Sequence, residues 1–397
     1  MERVKLVHVF NDDKFIDAAI ALFESVRPGQ SDYYVLSAAS TFTYVKSKNV
    51  AAISIKTSED AKNFVDQFAS ESVFMLHALC SVKQLIVLEL KPQTISTWFI
   101  WGYDLYGQWP LYKRNLYEQK TSSFINKGRR WQTLKDQIKY NKVTESIFLS
   151  NNKKNFPFLN VVDTWYRTQF YQAAKKINIV VPVVPTEFEF IIKMGLTPKQ
   201  APFNYGCSEW FSSGAKLHGN ANSILVGNSA DPSNNHLEIF EIISKLPLGN
   251  RKVYVPLSYG GNKKYIAFVV EKGTSILGEN FYPLMDFMPL EKYNKLIAQC
   301  GFVFFYHKRQ QALGNILSSI EMGAKVFFNK KSPILKHFSS LGFNLGITDL
   351  CTIDDLVPLD QKQLENNLNL LQEHYSLVAV EAKVEEFMNI IEKNKSD

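Results

Sequence analysis

Residues 302–329, FVFFYHKRQQALGNILSSIEMGAKVFFN, leave the chain little freedom in how it folds. The run 302–306 is short, aromatic and free of polar interruption, the pattern of a strand buried on both faces. The loop His307-Lys308-Arg309-Gln310-Gln311 follows, crowded with hydrogen-bond donors. Gly314-Asn315 then opens a helix with Ile316, Leu317 and Ile320 on one face, and Gly323 closes it. Val326-Phe327-Phe328 resumes as strand. Strand, helix and strand in this order make a parallel pair with the helix covering the sheet. A polar loop between a buried strand and a helix N-terminus is where open α/β sheets hold anionic ligands. The spacing therefore predicts the phosphates of a nucleotide-sugar beside Arg309.

The same alternation runs through the chain. Residues 4–10 read as a first buried strand, the loop Asn11-Asp12-Asp13-Lys14 follows, and 15–25 have helical spacing. Further strands are expected at 33–36, 51–55, 73–76, 97–100 and 179–184, with helices at 59–68 and 161–175. The fold class is α/β, doubly wound and mostly parallel. No G-x-G-x-x-G follows the first strand, which disfavours a dinucleotide site there. Residues 186–191, TEFEFI, alternate acid and aromatic, so Glu187 and Glu189 are expected on the outer face of a strand. Pro, Gly and Ser gather in 197–222, the expected interdomain linker.

A second α/β run begins at Ser223. Strands are expected at 224–226, 252–255 and 275–277, with Asp231 as N-cap and Pro232 at the first helical position of the helix that continues through 235–246. A turn at 258–261 leads into a helix at 263–271, and 365–393 read as one long amphipathic helix. Three turns share one character, small or polar residues before a helix: Gly227-Asn228-Ser229, Ser258-Tyr259-Gly260 and 310–315. In a parallel sheet all three lie at the carboxyl edge, where backbone amides and helix dipoles make a diphosphate site. Arg309 adds a two-point contact to phosphate, Gln310 and Gln311 read sugar or base, and Glu321 accepts from ribose hydroxyls. In the first half, Asp13, His77 and Asp104 lie nearest expected strand ends and are candidate general bases for a sugar hydroxyl.

Composition removes several classes. With 46% hydrophobic and 21% charged residues, the 397-residue chain is ordinary for a globular protein of two domains. Cys80, Cys207, Cys300 and Cys351 are too scattered for zinc or a disulfide framework, which fits reduced thiols in the cytoplasm. No Asp-x-Asp, His pair, G-x-S-x-G or P-loop occurs, and no metal or cofactor is expected. No run approaches the ~18 apolar residues of a membrane span. Between Lys113 and Lys142, nine Lys/Arg face only Glu118 and Asp136, a local excess of seven that equals the whole chain's net charge of +7. Trp109, Tyr112, Tyr117, Phe124, Trp131 and Tyr140 are interleaved, a mixture suited to an anionic membrane surface. No nucleic-acid-binding motif accompanies it.

Three stretches together resemble a known family: WFIWGYDLY at 98–106, ILVGNSADPSNNH at 224–236, and RQQALG at 309–314. They resemble glycosyltransferase family 56, whose members move N-acetylfucosamine from a dTDP-sugar to a polyprenyl-diphosphate-linked sugar of enterobacterial common antigen. The resemblance implies a GT-B architecture of two Rossmann-like domains across a cleft: an N-terminal acceptor domain at 1–205 carrying the basic segment 108–142, a nucleotide-sugar domain at 223–364, and a helical tail at 365–397 returning to the first domain. It implies a peripheral enzyme on the cytoplasmic face of the inner membrane, with a nucleotide-sugar donor and a lipid-linked saccharide acceptor. By motif match, Gly227, Asn228, Ser229, Arg309, Gln310, Gln311 and Gly314 carry over as donor positions. Ser258, Tyr259, Asn315 and Glu321 join them on the residue reading alone. Asp104 falls inside the matched tryptophan motif, and Asp13 and His77 fall near matched positions. Phe99 stands where the family has a His. Two other readings stay open: a GT-B-like nucleotide-sugar epimerase, and a catalytically silent glycolipid-binding scaffold.

Overall fold

The computed structural model describes residues 4–39, 41–108, 116–127 and 168–396. They form two compact units. The first holds the described chain up to 108, 168–206 and everything from Val380; the second holds 116–127 and Cys207–Ala379.

The first unit is built on a seven-stranded sheet in the order β3-β2-β1-β4-β5-β6-β7. Its strands are β1 (Leu6–Phe10), β2 (Ser31–Leu36), β3 (Val50–Ile53), β4 (Val73–His77), β5 (Ile95–Phe99), β6 (Ile179–Val181) and β7 (Lys199–Gln200). Every pairing is parallel. All five residues of β1 are buried, as are those of β4 and β5, because helices cover both faces of such a sheet. The direction of winding reverses between β1 and β4, which pair His8 with Met75. In open parallel sheets such a reversal is where the loops leaving the two strands diverge at their carboxyl ends and ligands bind.

The second sheet has six strands in the order β10-β9-β8-β11-β12-β13, again all parallel. They are β8 (Ser223–Val226), β9 (Val253–Pro256), β10 (Phe281–Leu284), β11 (Cys300–Phe305), β12 (Lys325–Phe328) and β13 (Gly346–Ile347). Winding reverses between β8 and β11. Phe304 of β11 stacks on Phe327 of β12 with ring centres 4.5 Å apart and planes 6° from parallel. Each such buried ring is worth about 1.5–3 kcal/mol in area removed from water. The helix Leu313–Met322 buries Ile316, Leu317 and Ile320 and ends at Gly323, φ +99°, as its sequence predicts.

Several expectations change. Residues 186–191 are not a strand: Pro185–Glu187 form a 3₁₀ turn that leads into the helix Phe188–Lys193. Proline at the first helical position fixes the entry, and a helical period separates two acids that alternation would have kept together. Glu187 is wholly buried and Glu189 exposed. Tyr106 Oη donates to Glu187 Oε1 at 2.8 Å, and burial pushes that carboxyl from an ordinary 4.5 to about 7. The folded state thus keeps a proton that the unfolded chain releases, so this residue's stabilisation is lost as pH rises from about 4.5 through 7, by on the order of 3 kcal/mol. Glu187→Gln is uncharged throughout, so its melting temperature should gain on wild type between pH 5 and pH 8. A pH-independent gap between the two would contradict this.

Residues 275–277 are the last turn of the helix Lys263–Leu277, and the strand comes after Gly278, at Phe281–Leu284. The tail is two helices, Gln361–Tyr375 and Leu377–Ser396, parted by Ser376 in an extended conformation. From Val380 the last helix packs within the first unit, with Phe387 edge-on to Phe99 at 5.5 Å and Glu385 paired to Arg27 at 2.7 Å. The expected linker contains β7 and the short helix Ser208–Ser212, and the unit boundary falls inside it, after Gly206.

The basic segment divides differently from the expectation that it belongs to the first domain. Its described part, 116–127, lies in the second unit. The helix Gln119–Ile125 stacks Phe124 on Phe268 at 4.2 Å, and Glu238 accepts from the Lys120 and Thr121 amides. Of 108–142, residues 109–115 and 128–142 lie outside the described residues, as does the first part of the helix expected at 161–175, where Gln169–Ala174 is helical.

Candidate functional site

In the second unit, the loops after β8 and β11 flank the point where winding reverses. Gly227 has φ +68°, and a Cβ there would meet Asn234 Oδ1 at 2.5 Å, so only glycine fits the turn. That oxygen accepts from the Asn228 amide at 3.1 Å and from His307 Nε2 at 2.7 Å. Asn234 Nδ2 in turn donates to the carbonyls of Ser229 and Asp231 at 2.9 and 3.0 Å. One buried asparagine therefore ties the two loops together. Burial, and next the Arg309 charge, hold His307 well below the ordinary histidine range, so it stays neutral and donates.

On that frame the polar side chains converge. Gln311 Nε2 donates to Asn228 Oδ1 at 2.9 Å, and Asn228 Nδ2 donates to Tyr259 Oη at 3.2 Å. Arg309 Nε is shared between Gln311 Oε1 at 2.8 Å and Ser233 Oγ at 3.1 Å. One terminal nitrogen of Arg309 lies 3.8 Å from Asp231 Oδ2, too far for a close pair. The rest of the guanidinium fork has no closer partner among the described residues. An arginine aimed by its Nε in this way presents two terminal amino groups to an anion.

The structure brings Asn228, Tyr259, Arg309 and Gln311, four of the expected donor positions, into one network. Gly227 and Ser229 shape it, and the turn at Gly260-Gly261 closes on it, since a Cβ on Gly261 would stand 2.3 Å from the Ala230 carbonyl oxygen. Ser258 is half-buried and Gln310 nearly buried at the same edge. Gly314 lies against the Phe211 ring, and Asn315 Nδ2 reaches Tyr293 Oη at 3.4 Å, so these two join the helix start to its packing partners. Glu321 lies two turns further along. Its Oε2 is shut from solvent with no hydrogen-bond partner among the described residues.

Ser233, Asn234 and Asn235 were not singled out by sequence, although they lie inside the stretch 224–236. Asn235 takes the left-handed conformation, φ +52°, and its Nδ2 donates to the carbonyls of Leu116, Ser233 and Tyr306. Its Oδ1 accepts from the Glu118 amide at 2.8 Å. Glu118 then pairs with Lys308 at 3.3 Å, with only 10% of that lysine side chain exposed. No sequence signal joins positions 190 apart; an Asn-Asn pair after a capping Asp-Pro was the available hint.

In the first unit the three candidate bases separate. Asp13, in the loop after β1, is half-buried, and its Oδ1 accepts from the Phe15 amide at 3.3 Å. Burial raises its carboxyl above the ordinary range, against the pull of the Phe15 amide. His77, at the end of β4, is completely enclosed. Its Nε2 lies 3.1 Å from His8 Nδ1 and its Nδ1 2.5 Å from Tyr205 Oη, while Lys83 Nζ donates to its carbonyl. Burial, and then the neighbouring His8 and Lys83, hold His77 well below the ordinary histidine range. Asp104 is also enclosed, with Oδ2 accepting from Trp98 Nε1 at 2.6 Å and the Leu79 amide at 2.9 Å, and Oδ1 from the Trp101 amide at 3.0 Å. It pins the loop after β4 to the end of β5. Only Asp13 keeps a carboxylate that a substrate can touch.

No helix of the described residues is long and apolar enough to cross a membrane. Among them no three His, Cys, Asp or Glu side chains share a place that could hold a metal ion.

The fold is that of known glycosyltransferases. A sucrose-phosphate synthase from Thermosynechococcus elongatus matches with a TM-score of 0.58 at 9% identity, over 98% of this chain and 99% of that one. An Anabaena protein solved in complex with UDP-glucose matches at 0.60 and 11% identity, over 97% and 99%. A trehalose-6-phosphate synthase from Burkholderia multivorans matches at 0.58 and 8% identity, over 100% and 98%. At such identities the likeness speaks for the fold alone, and that fold is GT-B. Residues 208–367 match the family described as 4-alpha-L-fucosyltransferase, glycosyl transferase group 56, the family that the sequence motifs resemble. This match and the GT-B fold together support a nucleotide-sugar glycosyltransferase.

Proposed function

We propose that this enzyme transfers a deoxy-amino sugar of the N-acetylfucosamine type from a dTDP-sugar to a polyprenyl-diphosphate-linked saccharide. The observation that carries the reading is the Asn228–Gln311–Arg309 network at the carboxyl edge of the second sheet, inside the stretch matched to group 56. A leaving nucleoside diphosphate gains negative charge as the sugar departs, and the terminal nitrogens of Arg309 with the amides opening the helix Leu313–Met322 are suited to stabilise that charge. These groups are N–H donors and a guanidinium, which suits metal-independent transfer. Glu321 offers an acceptor oxygen for ribose hydroxyls, and Gln310 a contact to the base or sugar. Asp13 serves as general base for the acceptor hydroxyl, with His77 and Asp104 holding the loops around it. The basic aromatic run 108–142 suits peripheral attachment to the cytoplasmic face of the inner membrane, where a lipid-linked acceptor lies.

An epimerase would use the same donor contacts but would release a free nucleotide-sugar, and it would need no basic aromatic run. Melting the protein with dTDP, UDP and GDP tests the donor side directly. At a hundredfold excess over Kd the bound nucleotide stabilises the fold by about 2.7 kcal/mol. The largest rise in melting temperature is expected with dTDP. A larger rise with GDP or UDP overturns the dTDP assignment, and no rise with any of them overturns the donor site.

A further inference from the structure

The tryptophan motif at 98–106 is left with little to do by the donor site. Its Asp104 is spent on structure, and the result is that Trp101 and Tyr103 are held outward at the carboxyl edge of the first sheet. Trp101 is half-buried and Tyr103 is 50% exposed. Two further half-buried rings meet Trp101 there. Tyr205 lies edge-on to it at 5.5 Å and 89°, and Phe15, from the loop after β1, lies edge-on at 6.3 Å and 88°.

This platform is fixed in place by hydrogen bonds beneath it. Trp101 Nε1 donates to Tyr205 Oη at 2.6 Å, so the Tyr205 hydroxyl hydrogen points to His77 Nδ1, 2.5 Å away. His77 then carries its proton on Nε2 and donates to His8 Nδ1 at 3.1 Å. Burial brings His8 down to about 3, so both rings stay neutral and the chain of donors keeps one direction. The polar edges of Trp101 and Tyr205 are therefore consumed inside, and what these half-buried side chains leave to a ligand is apolar ring surface. At the rim stand Asp13 and Asn11, whose Nδ2 donates to Tyr103 Oη at 3.0 Å. Asp13 shares the loop after β1 with Asn11 and Phe15, and its Oδ1 accepts from the Phe15 amide at 3.3 Å.

We infer that this platform is a subsite for a pyranose ring of the acceptor, stacked on Trp101 with the edge-on rings of Tyr205 and Phe15 beside it and its hydroxyls at Asp13 and Asn11. A pyranose has one face of C–H groups and a rim of hydroxyls, and it matches rigid aromatic faces bordered by a carboxylate and an amide. An acyl chain would strip water from the Asp13 carboxylate and the Asn11 amide and offer neither a hydrogen bond in return, a cost the site would not recover. Stacking on the face aims one rim hydroxyl at Asp13, so the subsite also selects which hydroxyl is glycosylated.

The inference rests on the transferase reading, and the test separates the two. Transfer of labelled sugar to a native glycolipid extract is measured while extract and donor are titrated in turn. Trp101→Ala should raise the half-saturating amount of extract tenfold or more, with half-saturating donor and the slow hydrolysis of donor by water within twofold of wild type. Trp101→Phe keeps a ring and should stay within about threefold. Phe15→Ala, on the surface loop, should raise half-saturating extract several-fold and carries the test if Trp101→Ala does not fold. An unchanged requirement for extract in folded Trp101→Ala, or in Phe15→Ala where the first is lost, contradicts the subsite and leaves the donor reading standing. A wild-type protein that neither hydrolyses nor transfers from any nucleotide-sugar contradicts the transferase reading itself.

Discussion

Arg309→Ala is expected to lower kcat/KM for sugar transfer by about 10²–10³-fold, the range seen when one preorganised donor to a developing oxyanion is removed. The loss should fall mainly on kcat, because the diphosphate carries more charge while the sugar departs than it does in the bound donor. The fold should survive. Ser233 Oγ lies 2.6 Å from both Asp231 Oδ1 and Gln311 Oε1 and can donate to either, and Gln311 keeps Asn228, so the loops stay tied without the guanidinium. Arg309→Lys restores a charge but not the planar fork, and should recover only part of the rate. Steady-state kinetics with a melting curve for each variant decides the matter. Unchanged kcat in a folded Arg309→Ala would remove this residue from the donor site.

Asp13→Asn should cost about 10²–10⁴-fold in kcat/KM, the usual span for a lost general base. The asparagine oxygen still accepts from the Phe15 amide, so the loop geometry holds. The pH profile gives a sharper reading. Only the carboxylate form can take a proton, and burial raises the Asp13 carboxyl, so wild-type activity should fall on the acid side at a higher pH than an exposed aspartate would set. That limb should vanish in the variant. A folded-state pKa above the unfolded value also means that ionising Asp13 costs stability, so Asp13→Asn should gain melting temperature relative to wild type as pH rises. A variant with wild-type rate, or one that keeps the acid limb, would pass the role to another group.

Most of the scaffold was legible because parallel strands buried on both faces are unbroken apolar runs: β1, β8 and β11 stand in the sequence without a competing pattern. The turn at Gly227 was legible for a related reason, but Asp231 and Pro232 open a 3₁₀ turn, Pro232–Asn234, that left-handed Asn235 separates from the helix His236–Ile243, so the single helix expected there is broken. Legibility failed where two periods fit the same short stretch. TEFEFI satisfies alternation by eye, yet Pro185 starts a helix and one acid goes inside. The 275–277 run looked like a strand because nothing local shows that the helix Lys263–Leu277 continues to Gly278.

Within the site, Arg309 and Gln311 could be named, but not the asparagine that holds them. Asn234 acts through four bonds to two loops, and such a role is set by tertiary geometry that no spacing encodes. Asp104 shows the converse. An acid in a distinctive motif invites a chemical role, and only its complete burial with three donors shows that it builds the loop that displays Trp101. The contact of Glu118 with Lys308 likewise draws a basic stretch read as part of the first domain into the second unit.

The central claim is transfer of a nucleotide-linked sugar to a lipid-linked saccharide. It is tested most directly by incubating the protein with sugar-labelled dTDP-, UDP- and GDP-sugars and a native lipid extract, then separating lipid from water. Label moving into the lipid phase from dTDP-N-acetylfucosamine, and lost in Arg309→Ala, is the predicted result. Label that stays in water as an epimerised nucleotide-sugar, or nucleotide binding with no turnover of any donor, would contradict it.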